Sequence, residues 1–135
     1  MGTVRAKENI EQVARKNFES WNECLKTGNL EKIVDLYTEG AVLLATFSHE
    51  IRKGHSKIRE YFHHFMEQHP VGTITKQEII VLASGVYSHD GNYDFEVDDG
   101  QGGRKIVEAR FTYDWKQNEK GEWKIVLHHS SVKPK

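Results

Sequence analysis

The side chains able to do chemistry here are eight histidines, one cysteine, and acids and tyrosines set into apolar runs. His128 and His129 are adjacent in the run Glu122-Trp123-Lys124-Ile125-Val126-Leu127-His128-His129-Ser130-Ser131. That run, rich in β-branched residues and free of glycine and proline, reads as a strand. Neighbours on a strand point to opposite faces, so the two histidines cannot grip one metal ion. His63 and His64 fall about 100° apart on a helix, and no His-x-x-x-His pair exists. The spacing therefore predicts neither a metal nor another cofactor. Cys24 is the only cysteine, which excludes an internal disulfide and a thiolate cluster. It reads as a small buried hydrophobe on a helix. A second pattern is Glu108, Arg110, Thr112 and Asp114, which alternate along one strand face. Such a row is either a solvated face or an interface where Arg110 pairs with an acid across the boundary.

Nineteen basic residues against twenty acidic ones, interspersed, give no footprint for nucleic acid and no basic amphipathic helix for a membrane surface. No apolar run approaches the roughly 18 residues of a spanning helix, and Met1 to Ile10 lacks the apolar centre of a signal peptide. The expectation is a cytoplasmic chain forming one domain over residues 1–135, large enough for a core without staples.

The elements that must position these groups follow from periodicity. Ile10, Val13, Ala14, Phe18, Trp21, Cys24 and Leu25 recur at helical steps within Arg5 to Thr27, and Gly28 supplies a stop. Asn29 caps a short helix from Leu30 to Tyr37. Ala41 to Phe47 reads as a strand, Ser48 to Gly54 as a polar loop. A third helix, capped by Ser56, buries Ile58, Tyr61, Phe62, Phe65 and Met66 and ends by Pro70. After Pro70 the period changes to two. Strands are expected over Thr73 to Ala83, over Val86 to Val97 with a break or bend at His89-Asp90-Gly91-Asn92, over Arg104 to Trp115, and over the final run. Strict alternation puts Trp123, Ile125, Leu127 and His129 on one face of that last strand, and Lys124, Val126, His128 and Ser130 on the other. The fold class is α+β: N-terminal helices packed on a curved antiparallel β-sheet.

This order of elements, with Gly28-Asn29-Leu30-Glu31-Lys32-Ile33, Leu36-Tyr37 and Gly121-Glu122-Trp123-Lys124-Ile125-Val126, resembles the nuclear-transport-factor-2-like (SnoaL-like) fold. A narrower resemblance is to the association (hub) domain of calcium/calmodulin-dependent protein kinase II and its free-standing homologues. It is carried by Trp115, by Trp123 to Ser131, by Thr46-Phe47-Ser48, Ile51-Arg52-Lys53-Gly54 and Ile58-Arg59-Glu60-Tyr61-Phe62, and by Ala109-Arg110-Phe111-Thr112-Tyr113. The resemblance implies self-assembly into dimers through the sheets, then rings of dimers, with Glu108, Arg110, Thr112 and Asp114 at the interface. The kinase hub also has an arginine-lined pocket for acidic ligands. Here Tyr113 and Ser130 stand where two of those arginines would, and the third falls near Asp94, so that ligand class does not carry over.

The fold implies a cavity between sheet and helices, lined here by Trp21, Tyr37, Phe62, Tyr93, Tyr113 and His129. Some relatives use an Asp or His there as a general base. His129 and Asp94 are the candidate bases, with Tyr93 or Tyr113 donating to a developing enolate. The sequence thus supports two functions, an assembly module and a small-molecule-binding or acid–base enzyme of isomerase or cyclase type. The alternative reading of the cavity residues is that the tyrosines belong to the core and the histidine satisfies a neighbouring strand.

Overall fold

A computed structural model describes residues 9–135; the part of the first helix expected before Asn9 lies outside them. The chain runs through α1 (Ile10–Thr27), α2 (Leu30–Asp35), β1 (Tyr37–Leu44), β2 (Ile51–Lys53), α3 (His55–Phe65), a 3-10 turn (Met66–Gln68), β3 (Val71–Ala83), β4 (Val86–Asp98), β5 (Arg104–Gln117) and β6 (Trp123–Val132). The side chain of Asn9 accepts from Glu11 N–H at the start of α1. Gly28, at φ 68°, closes the helix in the left-handed conformation that glycine adopts without strain.

The six strands form one curved sheet in the order β2-β1-β6-β5-β4-β3. Every pair is antiparallel except β1–β6, which run parallel, so the sheet is mixed. The parallel pair also explains why α2 stops short of Tyr37. Ile125 N–H donates to Leu36 C=O at 2.7 Å, and Tyr37 is already in register with Ile125. The polar loop expected over Ser48 to Gly54 contains the three-residue β2.

Two irregularities decide which side chains reach the core. The first replaces the break expected at His89 to Asn92. β4 runs through unbroken, and β3 bulges instead between Ile74 and Lys76. Gly91 permits this, because a Cβ there would lie 2.0 Å from Lys76 C=O. The second is in β6. Trp115 pairs with Ile125 but Asp114 with Leu127, leaving Val126 as an extra residue. Beyond Val126 every side chain takes the face opposite to that given by strict alternation.

The helices cover the inner face, where Tyr87, His89, Tyr93, Phe95 and Val97 of β4 meet Ala109, Phe111, Tyr113 and Trp115 of β5, all buried. Trp21 sits at the centre of this layer, with ring contacts to Phe18, Phe62, Phe95, Tyr113 and His128. Each buried aromatic of this size contributes about 1.5–3 kcal/mol of apolar burial. α1 is tied to the sheet edge by Asn22, whose amide donates to Gly72 C=O at 2.8 Å and accepts from Gly72 N–H at 2.9 Å.

Candidate functional site

The bulge at Val126 makes His128, not His129, the inward histidine. His128 pairs laterally with Tyr113 and stacks on its ring at a centroid distance of 4.0 Å. Its Nδ1 meets Tyr37 Oη at 2.8 Å and its Nε2 meets Tyr93 Oη at 3.2 Å. Donor directions follow from the partners. Trp21 Nε1–H donates to Tyr37 Oη at 3.0 Å, leaving the Tyr37 O–H for Nδ1. Tyr93 O–H donates to Ser130 Oγ at 2.6 Å, so its oxygen accepts from Nε2–H. Ser130 Oγ continues the chain to Thr46 Oγ1. His128 is thus a neutral imidazole protonated at Nε2, with both nitrogens satisfied. Burial, assisted by the neighbouring His129, pushes its pKa down to about 3. Burial likewise raises the phenols of Tyr37, Tyr93 and Tyr113.

This network lines one end of a cavity whose other walls are Trp21, Leu43, Tyr61, Phe62, Phe65 and Phe95. Its free volume is about 10 Å³, room for a single water molecule. No charged side chain lines it. A general base works best with a pKa near the operating pH, and His128 lies far below. The arrangement is therefore a filled, uncharged core network.

Of the residues expected at the cavity, Trp21, Tyr37, Phe62, Tyr93 and Tyr113 do lie on the inner face and are buried. Tyr93 reaches the chain through its hydroxyl. The hydroxyl of Tyr113 has no hydrogen-bond partner among the described residues. His129 is a correction. It is exposed on the outer face, opposite Thr112, because the extra residue at Val126 reverses the phase of β6. Asp94 is a second correction. It is half-buried on the outer face between Thr73 and Glu108, since its neighbours Tyr93 and Phe95 take the inner positions. The proposed pairing of a His129 or Asp94 base with a tyrosine donor therefore does not assemble. Sequence reasoning missed His128, Ser130, Thr46 and Tyr61. The signal was partly present, since His128 and Ser130 share a face and stand opposite Tyr113 and Phe111.

Glu108, Arg110, Thr112 and Asp114 share the outer face, with Glu108 and Arg110 exposed and Thr112 and Asp114 half-buried. Arg110 stands between Asn92 and Ser131 across the strands. With Thr112 and His129 these residues line a shallow depression of about 390 Å³. Burial raises the Asp114 carboxyl above its usual pKa, with the nearby Asp90 adding to the effect. Among the described residues, no group of three or more His, Cys, Asp or Glu is placed to hold a metal ion, and no helix is long and apolar enough to cross a membrane.

Comparison with known proteins now adds to this geometry. A candidate calcium/calmodulin dependent protein kinase II association domain from Xanthomonas campestris superposes with a TM-score of 0.89 at 34% identity, covering 99% of this chain and 94% of the other. A nuclear transport factor 2-like superfamily protein from Salmonella enterica matches at 0.80 and 14% identity, over 96% and 95% of the two chains. A ketosteroid isomerase-like protein from Erwinia carotovora matches at 0.74 and 10%, over 90% and 94%. The latter two establish the fold alone. Comparison with curated proteins returned no match. The sequence pattern of the calcium/calmodulin dependent protein kinase II association domain matches residues 10–134, and the chain belongs to that family.

Proposed function

We propose that this chain is a homo-oligomerising association module, cytoplasmic, whose output is a defined assembly of its own copies joined through the outer face of the sheet. The observation that carries the reading is family membership across residues 10–134. The outer face supports it. Arg110 makes no hydrogen bond or ion pair among the described residues, while Asp114 is already half-desolvated nearby. Facing another copy, the Arg110 guanidinium would find the Asp114 carboxylate, which has no ion pair among the described residues, whereas Glu108 already has Lys133 at 4.0 Å.

The alternative, a small-molecule or acid–base function in the cavity, has less support. The cavity holds about 10 Å³, its histidine is neutral, and the two carboxylate and imidazole bases expected there lie on the other face.

The test is particle mass by light scattering and native mass spectrometry across a dilution series, for wild type and Arg110→Glu. Wild type is expected as a homo-oligomer larger than a dimer. The variant is expected as smaller species with an unchanged helical signal, because stranding one partner of a desolvated pair costs roughly 2–5 kcal/mol. A wild type that stays monomeric overturns the reading. A variant that assembles like wild type removes only the role given to Arg110.

A further inference from the structure

The outer face of the sheet holds a concave place whose polar side chains the chain itself leaves unused. Arg110 of β5 stands in register between Asn92 of β4 and Ser131 of β6, and one step along the strand Thr112 stands beside His129. Cross-strand partners point to the same side of a sheet, and neighbouring strands run about 4.8 Å apart, so these five side chains converge on one patch. They line the depression of about 390 Å³, and no acidic residue is among those lining it. None of the five side chains makes a hydrogen bond or an ion pair among the described residues. Two acids at the next positions are already engaged. Ser88 Oγ donates to the Asp90 carboxylate at 2.8 and 2.9 Å, and Lys133 Nζ lies 4.0 Å from Glu108.

The patch is rich in donors. A guanidinium only donates, and the Asn92 amide, the Thr112 and Ser131 hydroxyls and the imidazole N–H of His129 add to it from the sides. The fork of a guanidinium matches both oxygens of a carboxylate, a geometry that a lysine cannot reproduce. We propose that this depression is a binding site for a small carboxylate monoanion, gripped through both oxygens by Arg110 and hydrogen-bonded by Asn92 and Ser131, with Thr112 and His129 completing the rim.

Charge selects the class. Asp90, Asp94, Glu108 and Asp114 stand at the surrounding positions of the same face. Their field opposes a dianion such as sulfate more strongly than a monoanion, and the planar fork favours a carboxylate over chloride. A ligand with a second carboxylate would set it against those acids, so the site suits a short monocarboxylic acid. The site lies on the face given above to the contact between copies, and its regulatory consequence rests on that reading. A free carboxylate and the Asp114 of another copy compete for one guanidinium, so the ligand holds chains apart.

The probe is isotope-labelled sodium acetate, followed by the line width of its own NMR signal, which is readable whatever the size of the assembly. Wild type, Arg110→Gln and Arg110→Lys are compared, with unlabelled acetate and sulfate as competitors at matched ionic strength and circular dichroism as the check on folding. Arg110 is exposed, so neither change enters the core. Acetate binding is expected to weaken about tenfold or more in both variants, because the lysine keeps the charge and loses the fork. Unlabelled acetate is expected to displace the probe, and sulfate to leave it bound. Particle mass by light scattering is expected to fall in wild type as acetate replaces chloride. Acetate that binds all three proteins alike overturns the site and leaves the assembly reading standing. Binding that Arg110→Lys keeps in full, or that sulfate displaces as well as acetate does, is diffuse attraction to positive charge and overturns the site as well. Acetate that binds through Arg110 without changing the mass of an assembled wild type overturns the competition. A wild type that is monomeric throughout yet binds acetate through Arg110 removes the assembly reading and supports the site.

Discussion

His128 and His129 are neighbours in β6, yet they inhabit opposite regimes. His128 is 2% exposed, its two nitrogens held by Tyr37 and Tyr93, its charge suppressed by burial. His129 stands in the open beside Thr112, on a face that also carries Glu108, Arg110 and Asp114. The inner face is filled within one chain: large aromatic rings occupy it, and a chain of polar atoms runs from Trp21 to Thr46, although Tyr113 Oη, Trp115 Nε1 and His89 Nδ1 find no partner among the described residues. The outer face is incomplete, with an unpaired guanidinium and a carboxyl disfavoured by its own surroundings. A closed interior resists new ligands because any charge brought there loses its hydration without compensation. An open charged face keeps its options for a partner that brings the opposite charge. The difference supports the proposed assembly through the outer side of the sheet.

The comparison is most severely tested at Trp21. If the inner face is a complete, close-packed layer, Trp21→Ala should cost about 3–5 kcal/mol, read from urea denaturation. A loss under 1 kcal/mol would mean that the layer is loosely packed and open to ligands.

Acid supplies the next test. The folded-state pKa of His128 is about 3 against an ordinary value of 6.5, so below 6.5 the unfolded chain binds a proton that the folded chain refuses. Stability should therefore be full above pH 6.5 and fall as the pH drops towards 3. The slope is about 1.4 kcal/mol per pH unit for this group where only the unfolded state is protonated. His89, lowered by burial to about 4, adds a similar loss over a narrower window. His128→Phe should flatten the acid limb of a stability-versus-pH curve, even though it lowers stability at pH 7 by breaking two hydrogen bonds. An unchanged acid limb would show that His128 is reached by protons and solvent, erasing the contrast with His129.

The smallest effect is expected from His129→Ala. Measured on the Arg110→Glu background to suppress assembly, it should change folding stability by less than about 0.5 kcal/mol. A larger loss would place His129 in the fold of the single chain, not at its open face.

Much of the architecture was legible in the periodicity. The helical steps from Ile10 to Leu25 predicted α1 and its buried Trp21 and Phe18, and the alternation of Phe111, Tyr113 and Trp115 with Arg110, Thr112 and Asp114 predicted both faces of β5. The inner set of tyrosines was legible for the same reason. The histidine was not. Strict alternation carried from Trp123 into His129 assumes an unbroken strand, and the extra residue at Val126 has no mark in composition: Ile125, Val126 and Leu127 are all ordinary strand formers. Asp94 was misplaced because a base used by some relatives of the fold was carried to β4, where Tyr93 and Phe95 on either side take the inner positions and leave Asp94 beside Glu108.

The sequence by itself determined the long helices and most of the strands, because propensity and apolar period act over neighbouring residues, while the short β2 and the end of α2 depended on strand pairing. It also determined that one side of β5 is aromatic and the other charged. Tertiary structure alone decided which of two adjacent histidines is buried, that β1 joins β6 in parallel, and which half of β3 is left uncovered. Those outcomes depend on pairing between strands far apart in the chain. A one-residue shift in such a pairing reverses every side chain beyond it, and nothing local to the strand records the shift.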